Sequence, residues 1–330
     1  MAEPALVQAA EDGDVDNVRA LVEGGADVNE AGDNGETALM VGSLFGHSGI
    51  VVVLLAAGAD ADLASNNGVT SLMASSREGH QVVVKLLLDR GADVEQADND
   101  GFTSLITSSD EGQQVVVKLL LDRGAEVDQA NNDGATALIM SSQSGHQVVM
   151  KLLLDRGADV NQTCNDGRTA LVMSSLQGHQ EAVELLLHRG AAVNQADDDG
   201  DTALTSASFN GHHDIAKLLL KSGAAVDRVA SDGGTALSYA VHKGHIAVAS
   251  LLRHWSLTIP RRLATYAFIL HAIELEEGRA SQGEPVKELL QRLAKTPDDI
   301  VRVIVLFVGD GGVAEEELRL EKLARGEGDD

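Results

Sequence analysis

The chain has 330 residues, more than one compact core of about 50–250 residues usually takes, and its 44% hydrophobic content excludes a disordered acidic tail. The net charge is −26; residues 256–330 hold 10 basic and 15 acidic residues, which leaves 15 basic and 36 acidic in the first 255. A field of that sign opposes nucleic acid and anionic membrane and favours basic partners.

The N-terminus, "MAEPALVQAAEDGD", has neither a basic n-region nor an apolar h-region, so no signal peptide is expected. The longest apolar run, "IVRVIVLFVG" at 300–309, is too short to span a bilayer and carries Arg302. One cysteine, Cys164, permits no disulfide framework and fits a reducing compartment. The expected location is the cytoplasm, with the nucleus as the alternative. Aromatics make up 2%, so the core must be built from Leu, Val, Ala and Ile.

After a first segment, "EPALVQAAEDGDVDNVRALVEGGADVN", glycines fall at Gly35, Gly68, Gly101, Gly134, Gly167, Gly200 and Gly233, 33 residues apart each time. A second set runs Gly13, Gly46, Gly79, Gly112, Gly145, Gly178, Gly211 and Gly244 at the same period. Two registers locked to one period without insertions define an internal repeat.

One period reads as follows. "NNDG" is a turn signal, and Thr136 after it is a good helix N-cap. A short apolar helix opens there and stops at Gly145. In "HQVVMKLLLDRG", Val148, Val149, Leu152 and Leu153 are spaced i, i+1, i+4, i+5, which predicts the buried face of a second helix stopped by Gly157. "ADVNQTCNDG" then carries the chain out and back as a hairpin. A unit this small cannot bury its own apolar face, so the units must stack into a linear solenoid. The fold class is all-α with short β-hairpin loops.

The stretch "NNDGATALIMSSQSGHQVVMKLLLDRGADVNQ" resembles the ankyrin repeat, whose pattern is roughly D-x-x-G-x-T-P-L-H-x-A-A-x-x-G-H-x-x-V-V-x-L-L-L-x-x-G-A-D-V-N. The resemblance covers about residues 4–255: a partial first unit, placed as an N-terminal cap, and seven full units. It implies a protein-interaction module and leaves the partner open.

Three departures stand out. Ala38, Ser71, Ser104, Ala137, Ala170, Ala203 and Ala236 replace the family's proline, and Met40, Met73, Ile106, Ile139 and Val172 replace its first histidine. That histidine in the family ties turn to helix, and the apolar substitutes suggest that burial compensates. The Ala-Ala pair becomes Ser-Ser at 75–76, 108–109, 141–142 and 174–175, each hydroxyl expected to bond the carbonyl four residues back.

Ser142 and His146 invite a nucleophile–base reading. The pair recurs at Ser76–His80 and Ser175–His179, Gln113 takes the histidine's place in the fourth unit, and a glycine interrupts the helix between them. The histidines therefore read as hydrogen-bonding posts at the inter-helix turn, and their ladder lacks the clustering a metal needs. "VIVLFVGDGG" lacks the Lys-Ser/Thr of a phosphate loop. No catalytic, cofactor or metal site is predicted, and Cys164 is expected to be inert.

In the family, partners usually contact the concave face formed by hairpin tips and first helices. Mapped here, the positions that vary between units give Phe45, Asp100, Phe102, Asp133, Arg168, Asp198, Asp199, Asp201 and Phe209 as candidate partner-binding residues, with the phenylalanines expected to face solvent. A basic, partly apolar protein segment is the expected partner, and the chain itself is expected to be a monomer.

Past Trp255 the period stops. Helical patterns follow in "TIPRRLATYAFILHAIELEEG", "SQGEPVKELLQRLAK", "TPDDIVRVIVLFVG" and "AEEELRLEKLAR". Residues 256–330 resemble no family and read as a helical cap for the array or a small effector module. The function expected from the whole is a non-catalytic scaffold or adaptor. The alternative is a regulatory or targeting subunit of an enzyme complex, recruited through the C-terminal helices.

Overall fold

A computed structural model of the chain describes residues 4–256; the helices expected at 258–330, and the choice between cap and effector, lie outside the described residues. Within 4–256 the chain is a succession of eight helix pairs. The first helices are α1 (Ala5–Glu11), α3 (Ala38–Leu44), α5 (Ser71–Arg77), α7 (Ser104–Asp110), α9 (Ala137–Ser144), α11 (Ala170–Gln177), α13 (Ala203–Asn210) and α15 (Ala236–His242). The second helices are α2 (Val15–Glu23), α4 (Ser48–Ala56), α6 (Gln81–Asp89), α8 (Gln114–Asp122), α10 (Gln147–Asp155), α12 (Gln180–His188) and α14 (His213–Lys221), followed by α16, helical over 246–256. Each first helix packs on the first helices of neighbouring units and on its own partner, and second helices stack likewise. The result is the solenoid that the 33-residue period requires.

The starts of the seven full-unit first helices share one device. Thr37, Thr70, Thr103, Thr136, Thr169, Thr202 and Thr235 are extended at the N-cap, and each Oγ1 accepts the backbone N–H three residues on at 3.2–3.4 Å. The same threonines close the hairpins through single antiparallel bridges, such as Ala130 with Thr136. Among the described residues the hairpins go no further than these isolated bridges.

Burial replaces the family's turn histidine where the side chain is apolar: Met40, Met73, Ile106, Ile139 and Val172 are all buried. In the last two units a hydroxyl does the job instead. Thr205 Oγ1 and Ser238 Oγ each accept the N–H of the N-cap threonine at 2.7 Å, completing reciprocal capping boxes.

The second helices bury a stripe one residue later than the spacing predicted. Val149, Met150 and Leu153 are fully enclosed, and Leu154 is half-buried, while Val148 is 52% exposed. The same shift holds in α6 and α8, where Val83, Val84, Leu87 and Leu88, then Val116, Val117, Leu120 and Leu121, form the buried face. Each such side chain contributes about 1.5–3 kcal/mol of burial.

Neighbouring units are also joined by repeated polar contacts. Arg123, Arg156 and Arg189 reach back to Asp89, Asp122 and Asp155 at 2.6–2.7 Å. Arg90 faces a unit that has Ala56 where an aspartate would stand, and bonds the Leu55 carbonyl instead.

The histidines are posts between units. Nε2 of His80, His179, His212 and His245 lies 2.9–3.1 Å from the carbonyl oxygens of Leu44, Gln143, Leu176 and Phe209. Gln113 performs the same role with its amide, donating to Arg77 O at 3.1 Å. This arrangement explains the second glycine register. Gly145 has φ +77°, and a Cβ there would come within 2.7 Å of the His179 ring. His146 likewise lies over Gly112 of the previous unit, and the buried Ser142 hydroxyl makes no hydrogen bond to it.

The serine pairs divide. Ser75 bonds the Ser71 carbonyl four residues back at 2.9 Å, whereas Ser108 and Ser141 reach Leu105 and Leu138, three back. Ser174 crosses to Ser142 O of the preceding unit. The second column, Ser43, Ser76, Ser109, Ser142, Ser175 and Ser208, is fully buried, and none of its hydroxyls has a partner.

Candidate functional site

The hairpin tips and first helices form the face on which the candidate residues were mapped, and the structure separates them into three groups. Phe102, Asp133 and Arg168 come together. They line one cleft of about 370 Å³ that draws on three consecutive units, floored by Ile139, Met140 and Met173 with Gln143 and Cys164 beside them. Phe102 is half-buried against the core rather than solvent-facing, and its N–H is held by Asp98 Oδ1 at 2.8 Å. Its ring is a wall of the cleft, presented by a fixed backbone.

Arg168 does not project freely. It pairs with Asp166 at 3.2 Å and with Asp197 of the next tip at 3.6 Å. Asp133 is exposed at the cleft rim; its N–H is held by Asn131 Oδ1 at 3.1 Å, and its carbonyl accepts from Asn165 N at 2.8 Å. Its carboxylate makes no ion pair with a described residue. The cleft therefore combines an apolar floor, an aromatic wall and an uncommitted carboxylate. Cys164, half-buried, also lines it. Burial raises the thiol, as does the hydrogen bond to Asp166 Oδ1 at 2.8 Å, so it is held away from the reactive thiolate.

The second group is the acidic end. Asp198 and Asp199 are exposed, and Asp201 is half-buried. Asp197, a residue outside the mapped set, organises them: its Oδ1 accepts the N–H groups of Asp199 and Asp201 at 3.1 and 2.8 Å. Burial raises the Asp201 carboxyl, and the carboxylates of Asp197, Asp232 and Asp199 raise it further. These residues do not line the cleft. Nor does Asp100, which stays at its own tip and accepts Asn132 N at 3.0 Å.

The third group is the outlying phenylalanines. Phe45 is 49% exposed and stacks on His47. Phe209 is 40% exposed, but Tyr239 meets its ring edge-to-face at 5.8 Å and the Lys243 ammonium sits 4.1 Å above it. Gly234 makes that cluster fit, since a Cβ there would collide with the Tyr239 ring.

The tip asparagines bind one another. Nδ2 of Asn66, Asn99, Asn132 and Asn165 donates to the carbonyl of Asp33, Asn66, Asn99 and Asn132 respectively, at 2.8–3.1 Å.

Sequence reading missed Met140 and Met173. They stand in the first-helix column that runs Val41, Ala74, Thr107, Met140, Met173, Ser206, Tyr239. That column varies as much as those at the helix end, and the variation was the available signal.

The family pattern described as "Ankyrin repeats (3 copies)" matches residues 45–131, 116–197 and 190–259. The chain belongs to the ankyrin-repeat family. A second pattern, "Ankyrin repeats (many copies)", matches residues 6–55 and takes in the partial first unit. A search of the curated proteins found no match. Ankyrin repeats generally mediate protein–protein interaction, and the first-helix face of this array is where the cleft lies. Among the described residues no helix is long and apolar enough to cross a membrane, and no group of three or more His, Cys, Asp or Glu is placed to hold a metal ion.

Proposed function

We propose that the array is a non-catalytic scaffold that grips a basic, partly apolar protein segment along its first-helix face, in a reducing compartment such as the cytoplasm. One observation carries this reading: Phe102, Met140 and Met173 surround an open cleft of about 370 Å³ whose rim carboxylate, Asp133, is uncommitted. An apolar side chain of the segment enters the cleft while a lysine or arginine meets Asp133. The acidic tips at Asp198, Asp199 and Asp201 extend the attraction along the array and speed encounter. Arg168, already neutralised by Asp166 and Asp197, braces the wall without repelling the segment.

The test is affinity capture by the full chain with mass-spectrometric identification, repeated with Phe102→Ala and Asp133→Lys. Each substitution is expected to reduce capture of the same partner severalfold while circular dichroism stays unchanged. Capture by both variants equal to that of the unsubstituted chain would overturn the assignment to this cleft.

A further inference from the structure

The stripe that second helices bury leaves a second row outside. Val82, Val115 and Val148 are 64%, 48% and 52% exposed, at equivalent positions of α6, α8 and α10, which lie side by side. In α4 the valine position is Gly49 and the lysine position is Val52, itself 44% exposed, so the paired pattern begins at α6. Three residues after each valine of the row, on the same helix face, stands a lysine: Lys85, Lys118 and Lys151. All three are exposed.

In a chain of net charge −26 these lysines should find carboxylates easily, and the obvious ones are four residues on, at Asp89, Asp122 and Asp155. Those acids are taken. Arg123, Arg156 and Arg189 of the following units bind them at 2.6–2.7 Å. No described residue pairs with the three lysines. The strip ends abruptly at α12, where the valine and lysine positions become Glu181 and Glu184. The second-helix face thus carries a bounded apolar row flanked by a parallel row of uncommitted cations.

We propose that this face docks an acidic amphipathic helix. Charge selects the sign, because the lysine row seeks carboxylates. Spacing selects the form. Packed helices stand about 8–10 Å apart, and an α-helix rises about 10.5 Å over seven residues. A helix laid across α6, α8 and α10 with an apolar residue at every seventh position meets each valine in turn, and carboxylates on its flank meet the lysines. The cleft on the first-helix face takes no part.

The probe is a fluorescent synthetic helix of about 21 residues with leucine at every seventh position and glutamates beside them, titrated into the full chain by anisotropy. Two triple variants are compared: Val82→Glu with Val115→Glu and Val148→Glu, and Lys85→Glu with Lys118→Glu and Lys151→Glu. The chain carries Glu181 and Asp214 at the valine position of its own later units, so an acid is accommodated there. Expected results are a loss of affinity of about tenfold or more in each variant, weakening with added salt, and no change with Phe102→Ala. Binding by both variants as tight as that of the wild-type chain overturns the proposal, as does binding of a lysine-substituted peptide as tight as that of the glutamate peptide to the wild-type chain. Preferential binding of phosphatidylserine vesicles, lost in the variants, would instead assign the face to membrane, and valine-dependent self-association would assign it to a second copy. If the valine variant fails to fold, the lysine variant and the charge-reversed peptide still decide.

Discussion

The central units and the last two units of the array solve the same problem with different chemistry. In the centre, the third residue of each first helix is apolar and buried, as with Ile106, Ile139 and Val172. At the end it is Thr205 or Ser238, which closes a capping box. Arginine–aspartate contacts join the central units, and the arginine position becomes Ser222 in the seventh unit, while the histidine–carbonyl posts run on through His212 and His245. The start of a central first helix is therefore held by burial of an apolar side chain, and the last two starts are held by their own capping boxes. In a solenoid, stability is a sum of unit and interface terms, so the two regions should respond differently to equivalent substitutions.

The largest expected difference comes from truncating that third residue. Ile139→Ala removes a fully buried side chain between units and should cost about 2–5 kcal/mol. Ser238→Ala removes two local bonds to Thr235, one to its N–H and one to its carbonyl, at an exposed residue and should cost about 0.5–1 kcal/mol. Urea denaturation of both variants checks the ratio. Equal losses would mean that the centre does not depend on its neighbours as described.

Next come the posts between units. His179→Ala deletes the bond to Gln143 O and should cost about 1 kcal/mol. His179→Gln should recover most of it, because Gln113 already makes the equivalent bond to Arg77 O. Thermal midpoints of the two variants measure the recovery. A glutamine variant as weak as the alanine one would show that ring packing over Gly145 matters more than the hydrogen bond.

The serine columns supply a change of opposite sign. Ser142→Ala removes a buried hydroxyl without a partner and should stabilise by about 1 kcal/mol, while Ser141→Ala deletes a bond to Leu138 O and should gain less or lose slightly. Denaturant midpoints of the two single variants separate the columns, which the sequence presents as an undifferentiated Ser-Ser pair.

These contrasts show where sequence was sufficient. The 33-residue period, the capping threonines and the paired glycine registers each name one conformation, because turn and cap chemistry is local. The phase of the second helix was misread by one residue because "QVVMKLLLD" offers three apolar residues in a row. Hydrophobicity alone cannot say which of Val148, Val149 and Met150 faces out; contact with the neighbouring unit decides it. Phe102 was placed in solvent for the same reason, since the helices that cover it belong to other units. The asparagine tips have a polar character that suits either a partner or a neighbour, and only the stacking distance assigns them to one another. The cleft was legible through Phe102, Asp133 and Arg168, while its floor, Met140 and Met173, lay in a variable column that resembles core.

The smallest effect concerns the point where the two regions meet. Four consecutive asparagines donate from tip to tip, ending at Asn165, and the next tip carries Asp198. Its side chain occupies the same place: Asp198 Oδ1 lies 2.8 Å from where a Cβ on Gly167 would stand, as Asn165 Oδ1 lies 2.6 Å from one on Gly134. An ionised carboxylate cannot donate, so the rung to Asn165 O is lost, and the charge is added beside Asp197, Asp199 and Asp201. Asp198→Asn should restore the rung and raise stability by about 0.5–1 kcal/mol, read as a higher thermal midpoint; Asn165→Asp should lower it. An aspartate that weakens its own ladder is expected where its charge serves binding. The same Asp198→Asn chain should therefore capture a basic partner less well while melting later. A variant that melts later and captures equally would leave the acid at 198 without a binding role and confine the partner's contacts to the cleft around Phe102 and Asp133.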